Sequence, residues 1–511
     1  MPASRPFDRP AMLSALRHEE FDVLVVGGGV TGLGVAVDAA SRGLRTALVE
    51  RDDFASGTSS KSSKLVHGGL RYLQQGEVRL VYEALHERQR LLRNAPHLVE
   101  VLPFMIPILT KDGLVSRKIA RALGSALWMY DLTGGWRIGR FHRRLRKNKA
   151  RRMMPTMPSD RLASAYVYYD AQADDARLCI SLARTAADHG AVVVNRCVFR
   201  DGAATADGET FAVKARVVVN ATGVWNEEVP TRPAKGVHVT VPWEKVRNTI
   251  AVVIPVPKDR RSLFVVPWGK RPDGTFIHTY VGTTDTDYSG PLDDPQCTRT
   301  DIDYVLRALN ASVTTGVTER DITGVWAGLR PLVKETADSR TADLSRRHLV
   351  STGDSGAITV TGGKLTTYRH MAEDAVDRVC EVLGKKARSR TKRLRLNGHD
   401  GSREREISEL IRERPELGES LVDGLPYTRA EAVYAARHEM ANTLDDVLSR
   451  RTRSLIFDRD ASRRAARTTA ELIAADLAWT PDRIEREVTA YEEICRHEEV
   501  AAELSEDQLH A

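Results

Sequence analysis

The chain has 511 residues, too many for one ordinary hydrophobic core, so two or three domains are expected. Its 42% hydrophobic and 28% charged content is that of a globular protein rather than a disordered or fibrous one. The net charge of +7 raises nucleic acid as a partner, but the excess is concentrated in local runs without interleaved aromatic residues, and no nucleic-acid partner is expected. The N-terminal segment carries prolines and acids where a signal peptide needs an apolar run. No apolar stretch reaches the roughly 18 residues of a membrane span. The cysteines (Cys179, Cys197, Cys297, Cys380, Cys495) lie far apart with no CxxC pair, which suits neither a disulfide framework nor a zinc site. Acidic residues form no evident metal cluster. No metal and a reducing, cytoplasmic setting are the expectations.

Phe21 to Gly69 is the most informative stretch. The β-branched run Val23 to Val26 predicts a buried strand, and Gly27, Gly29 and Gly32 follow at GxGxxG spacing before a helical stretch ending near Gly43. A second strand, Thr46 to Val49, ends on Glu50. Gly27 permits the tight turn, Gly29 admits a pyrophosphate and Gly32 brings helix and strand together. The helix N-terminus attracts the phosphates, and Glu50 is placed to accept hydrogen bonds from a ribose. Strand, glycine turn, helix and terminal acid together indicate an adenine dinucleotide. The run Ser56 to Ser63 is too polar and glycine-spaced to be the next helix of a plain nicotinamide domain.

Further along, Ser116 to Leu132 places Ile119, Leu123, Ala126, Leu127 and Tyr130 at helical spacing, with Arg117, Lys118 and Arg121 near its start. The densest basic run, Arg140 to Arg152, follows. Two readings stand: a stripe and basic cluster lying on an anionic membrane surface, or a helix packed into the core beside a solvated loop. Next come a helix-like RLCISLARTAADHG and the strand-like Ala191 to Phe199. Four β-branched runs between HVTV and FIHTYVGTT suggest an antiparallel sheet. From about residue 400 the text turns helical and rich in Arg, Glu and Ala.

TSSKSSKLVHGGLRYL (Thr58 to Leu73) resembles the second signature of the FAD-dependent, aerobic respiratory glycerol-3-phosphate dehydrogenase family. VNATGVW (Val219 to Trp225), KGVHVTV (Lys235 to Val241), VGTTDTDY (Val281 to Tyr288), AGLRPL (Ala327 to Leu332), TGGKLTTYR (Thr361 to Arg369) and TLDDVLSRRTR (Thr443 to Arg453) resemble further family motifs in the same order. The resemblance spans nearly the whole chain. It implies an α/β FAD-binding Rossmann-like domain (about 20–100, 155–230 and 350–385), an antiparallel β-rich substrate domain (231–349) and an all-α C-terminal domain (400–511). A membrane-facing insertion is expected at about 101–154. The implied reaction is oxidation of sn-glycerol 3-phosphate to dihydroxyacetone phosphate. Electrons would pass to a membrane quinone from a homodimer held peripherally at the inner face of the cytoplasmic membrane. An oxidase using oxygen remains the alternative, and a catalytically silent flavin-binding protein a third reading.

By the same resemblance, the cofactor contacts fall on Gly27, Gly29, Gly32, Glu50, Ser59, Ser60, Lys64, His67, Val198, Ala221, Gly223 and Gly363. Substrate contacts fall on Arg71, Tyr72, Arg346, Lys364, Thr366 and Tyr368, and the catalytic pair on His238 and Arg330. The chemistry supports such a set. A dianionic phosphate in a partly dry site calls for several cations, with arginine suited to bidentate contact. Histidine is the usual base near neutral pH, so His238 is either the proton acceptor or a hydrogen-bonding partner of the flavin. Arg330 could stabilise a developing alkoxide. Trp128, Trp225, Trp243, Trp268 and Trp326 are expected to pack rather than stack on a flavin.

Overall fold

The computed structural model describes residues 4–70, 72, 77–109, 117–259, 261–333 and 348–509. The apolar run after Glu20 forms the strand Glu20–Val26, with Val23, Leu24 and Val25 fully buried. It lies inside a six-stranded sheet whose spatial order is His348–Thr352, Ile358–Gly362, Lys214–Asn220, Glu20–Val26, Thr46–Val49 and Val192–Val194. All pairings are parallel except the one between the first two, as a sheet covered on both faces by helical crossovers requires. Its strands are drawn from segments far apart in sequence. The helix Val30–Ser41 is buried almost all round, because Tyr368–Leu383 and Asp175–Asp188 pack on it. Gly34 admits the Tyr368 ring, whose Cδ2 would stand 2.8 Å from a Cβ at that position.

The second sheet has ten strands and is mainly antiparallel. Thr231–Pro242 pairs with Gly324–Val333 on one side and with Phe276–Gly282 and Thr286–Asp287 on the other. Ser262–Lys270 and Ala251–Pro255 continue the order. The sheet then extends through Val99–Leu109 and Leu162–Ala173, segments expected in the insertion and in the FAD domain. Alternating burial explains the difference: Leu102, Phe104 and Tyr168 belong to the core that holds Leu85, Leu127 and Tyr130, while Met105, Ala165 and Val167 belong to the core that holds Ile302 and Val305 of the helix Arg299–Asn310.

Within Arg117–Thr133, Leu123, Leu127 and Tyr130 are buried, so the stripe that could have met a membrane packs into the core. Tyr130 donates to Asp170 Oδ1 at 2.6 Å, and Gly68 N–H donates to Tyr130 Oη at 3.1 Å, fastening the loop that carries His67. The side chains of Ile119, Arg117, Lys118 and Arg121 lie outside the described residues.

The C-terminal region is helical from Ser402–Glu413 to Pro481–Glu503, apart from an isolated bridge between Ser420 and Thr428. It is fastened to the dinucleotide domain by buried ion pairs. Arg451 donates twice to Asp53, at 2.7 and 2.9 Å, and Arg450 Nε once, at 2.6 Å. Arg177 and Glu439 form a bidentate pair at 2.6 Å on both arms. Among the described residues no helix is long and apolar enough to cross a membrane.

Candidate active site

A cleft of about 520 Å³ opens where the strand Glu20–Val26 gives way to the helix Val30–Ser41. The glycines there are dictated by close approach. A Cβ on Gly32 would lie 2.0 Å from the Gly27 carbonyl oxygen, and one on Gly27, at φ +113°, 2.6 Å from the carbonyl oxygen of Ala221. Gly29 caps the helix without a side chain, and Ser59 Oγ accepts from Val30 N–H at 2.9 Å. Glu50 lines the cleft and accepts from Gly28 N–H at 2.5 Å and Asp52 N–H at 2.8 Å. Burial lifts its carboxyl to about 7 against those two hydrogen bonds. Ser59, Val198, Ala221, Gly223 and Gly363 line the same cleft, together with Trp225. A glycine cradle at a helix N-terminus with a carboxylate at the end of the second strand fits FAD.

Thr58, Pro331, Gly363 and Lys364 also line a second cavity of about 190 Å³, so the two spaces adjoin. It holds His67, Tyr72, His238, Arg330, Lys364 and Thr366, with Lys61 and Ser63 added by the structure. Lys364 Nζ stands 3.7 Å from the centre of the Tyr72 ring, a cation–π contact. Thr366 Oγ1 accepts from His67 N–H at 3.1 Å, tying the two signatures together. Arg330 donates to Asp285 Oδ1 at 2.9 Å and to Thr283 Oγ1 at 3.0 Å. Gly236 makes room for it, since a Cβ there would meet Arg330 Nη2 at 2.4 Å.

His238 sits beside Arg330 in the cavity wall. Its Nε2 lies 2.9 Å from Ser63 Oγ, while Nδ1 is buried without a hydrogen-bond partner. Its ring stacks on Trp326, 4.6 Å between centres and 10° from parallel. Burial, then the Lys64 and Arg330 cations, hold the imidazole well below the usual histidine range, so it is neutral at physiological pH.

Four expected contacts stand elsewhere. Lys64 is fully buried on Asp175 rather than in either space, because its ammonium needs a counter-ion there. Ser60 borders a separate cavity near the C-terminal helices, and its carbonyl receives Arg453 and Lys64. Gly32 serves helix packing, and Tyr368 is buried against Gly34. Arg71 and Arg346 lie outside the described residues. Sequence reasoning missed Ser63, Lys61 and Asp285. Ser63 lay within the quoted signature, but its contact with His238 spans 175 positions.

Residues 22–369 match the family described as FAD dependent oxidoreductase, and residues 389–484 match the C-terminal domain of alpha-glycerophosphate oxidase. The chain is 39% identical over 542 residues to glycerol-3-phosphate dehydrogenase 2 of Mycobacterium tuberculosis, covering 95% of this chain and 90% of that one. It is 35% identical to the mitochondrial glycerol-3-phosphate dehydrogenase of Bos taurus, over 94% of this chain and 74% of that one. Among solved structures, the glycerol-3-phosphate dehydrogenase of Bacillus halodurans complexed with FAD superposes with a TM-score of 0.73 at 26% identity, covering 95% and 97% of the two chains. With the glycine cradle and the adjoining cationic cavity, these likenesses place the chain in the FAD-dependent glycerol-3-phosphate dehydrogenase family.

Proposed function

We propose that this chain oxidises sn-glycerol 3-phosphate to dihydroxyacetone phosphate and delivers the electrons to a membrane quinone. The observation that carries the reading is the small cavity beside the cofactor cleft, in which Lys61, Arg330 and Lys364 face a neutral, buried histidine and no carboxylate lines the wall among the described residues. Such a pocket suits a dianion that carries an alcohol.

FAD, when bound in the cleft, would supply the two-electron acceptor for the carbinol hydride. The chain's own residues do the rest. Lys364, at the junction of cleft and cavity, meets the phosphate together with Lys61. Arg330, held by Asp285 and Thr283, faces the carbinol oxygen and favours its alkoxide character. His238 receives the hydroxyl proton at Nε2, the nitrogen beside the cavity-lining Ser63 hydroxyl, since Nδ1 is buried. One hydride and one proton leave the alcohol, and the ketone remains.

A peripheral membrane site suits a quinone acceptor. Trp128 (55% exposed), Met129, Leu132 (71% exposed), Trp136 and Phe141 form an outward apolar group, flanked by exposed Arg140, Arg143, Arg144 and Arg146. Such a combination inserts into the headgroup region of an anionic bilayer.

The test is anaerobic mixing of the yellow protein with glycerol 3-phosphate while the oxidised flavin band is followed. Rapid bleaching, with colour restored faster by a quinone analogue than by oxygen, is expected. Restoration by oxygen with matching peroxide would make the protein an oxidase. A band that never bleaches would overturn the substrate.

A further inference from the structure

We propose that Lys64, held by Asp175 against the Trp326 ring, is a positioning residue that supports the proton-accepting role of His238 through Trp326. The inference rests on the reading of His238 given above. Lys64 lines neither the cleft nor the cavity, yet it is fully buried behind the cavity wall. Its Nζ lies 3.2 Å from Asp175 Oδ1, 3.4 Å from the Ser60 carbonyl oxygen and 4.6 Å from the centre of the Trp326 ring. Trp326 is the cross-strand neighbour of His238, stacks on it, and is pinned by an Nε1–H bond to the Ser62 carbonyl oxygen at 3.0 Å. Arg453 Nη2 reaches the same carboxylate oxygen at 3.1 Å, and its Nε lies 3.6 Å from Asp174.

The Lys64 ammonium stands over the Trp326 ring on which the imidazole stacks, so its positive charge acts on His238. The other groups facing His238 work in the same sense or carry no charge. Arg330 faces it from Gly324–Val333 with its charge shared by Asp285, and Tyr280 faces it from Phe276–Gly282 with its hydroxyl on the Ser63 carbonyl oxygen. Lys61, Lys364, His67 and Tyr72 complete the titratable wall of the cavity. An imidazolium there meets no carboxylate in the cavity wall among the described residues until a dianionic substrate arrives, so protonation of His238 before substrate binding is suppressed. Burial, then Arg453, push the Lys64 ammonium down to about 8, with Asp175 pulling the other way, so Lys64 is still charged at neutral pH.

The experiment compares wild type, Lys64→Met and Lys64→Arg as flavin-loaded proteins, with kcat/KM for glycerol 3-phosphate measured from pH 5 to 9. Removing the cation should raise the acid limb of Lys64→Met by about half a pH unit or more, while Lys64→Arg stays within about 0.2 of wild type. Coincident limbs, or a loss of kcat in both variants without a shift, would overturn the proposal and leave Lys64 a packing residue. A readout independent of turnover is the melting temperature against pH. The unfolded chain holds the Lys64 proton to higher pH than the fold does, so wild type should gain on Lys64→Met between pH 8 and 10. A gain that sets in already below pH 7 would show the ammonium losing its proton before neutral pH and would overturn the charged role. Lys64→Gln carries the same comparisons should the methionine variant not fold. A wild-type flavin that glycerol 3-phosphate does not bleach would refute the proposed function instead, a result distinct from an unshifted limb.

Discussion

Asp285 and Arg330 form a pair in which the carboxylate accepts from Nη1 at 2.9 Å, while the guanidinium's other arm reaches Thr283. The pair fixes the cation against the cavity wall without closing it off, for Arg330 still lines the cavity. Asp285→Asn should therefore leave flavin content intact and lower kcat/KM by about tenfold to a hundredfold through loss of orientation. Stopped-flow reduction of the flavin reads this directly. Unaltered kinetics would mean that Thr283 alone positions the arginine.

His238→Asn should lower the rate of flavin reduction by about 10²- to 10⁴-fold with normal cofactor content. The wild-type imidazole is held below the ordinary histidine range, so kcat/KM should be flat from about pH 6.5 to 7.5 and fall on the acid side as His238 is protonated. An acid limb centred above that range would contradict a neutral His238.

Much of this site was readable before any coordinates. The glycine turn and Glu50 belong to a local strand–turn–helix pattern whose steric logic is contained in about thirty residues. The surroundings of His238 were not readable in that way. Trp326 reaches it by strand register and Ser63 from a loop 175 positions away in sequence, while Lys64 lies over Trp326, held by an ion pair to Asp175. The helix Arg117–Thr133 shows a second limit. Its periodicity reveals an apolar face, but Leu123, Leu127 and Tyr130 face the core, and among the described residues the large apolar side chains that point outward are Trp128, Met129 and Leu132. Periodicity identifies a face and says nothing of what covers it.

That outward group leads to a membrane prediction. Reversing Arg143, Arg144, Arg146 and Lys147 to glutamate should abolish sedimentation with anionic vesicles, since each basic residue near the surface contributes about 1 kcal/mol. Trp128→Ser with Leu132→Ser should weaken binding to neutral and anionic vesicles alike. Flavin reduction by the soluble substrate should be unaffected in both. Undiminished vesicle binding would sink the assignment of this face.

Glu50 connects cofactor and pH. Glu50→Gln replaces a charged acceptor by a neutral one, and FAD affinity should fall by about tenfold to a hundredfold, corresponding to the 1.5–3 kcal/mol of a charge-assisted hydrogen bond. Without cofactor, its carboxyl titrates near 7 in the fold against 4.5 in the unfolded chain. Its contribution to stability is thus complete below about pH 4.5 and lost as pH rises through 7. Melting of the FAD-free protein across that window should show the loss, and Glu50→Gln should remove that component.

The ion pairs between Asp53 and the Arg450–Arg451 pair bear on how such chains can change over time. The acid belongs to the segment matching the oxidoreductase family, and the arginines to the segment matching the C-terminal domain. Loss of both arginines would leave Asp53 a buried charge without these partners, at a cost of about 3–5 kcal/mol, whereas Arg450 also pairs with Asp445 and Asp446. A chimera that takes its C-terminal helices from a distant relative inherits this constraint at the seam. The two halves are therefore expected to have diverged as a matched set, with exchange confined to donors that bring both the acid and its arginines.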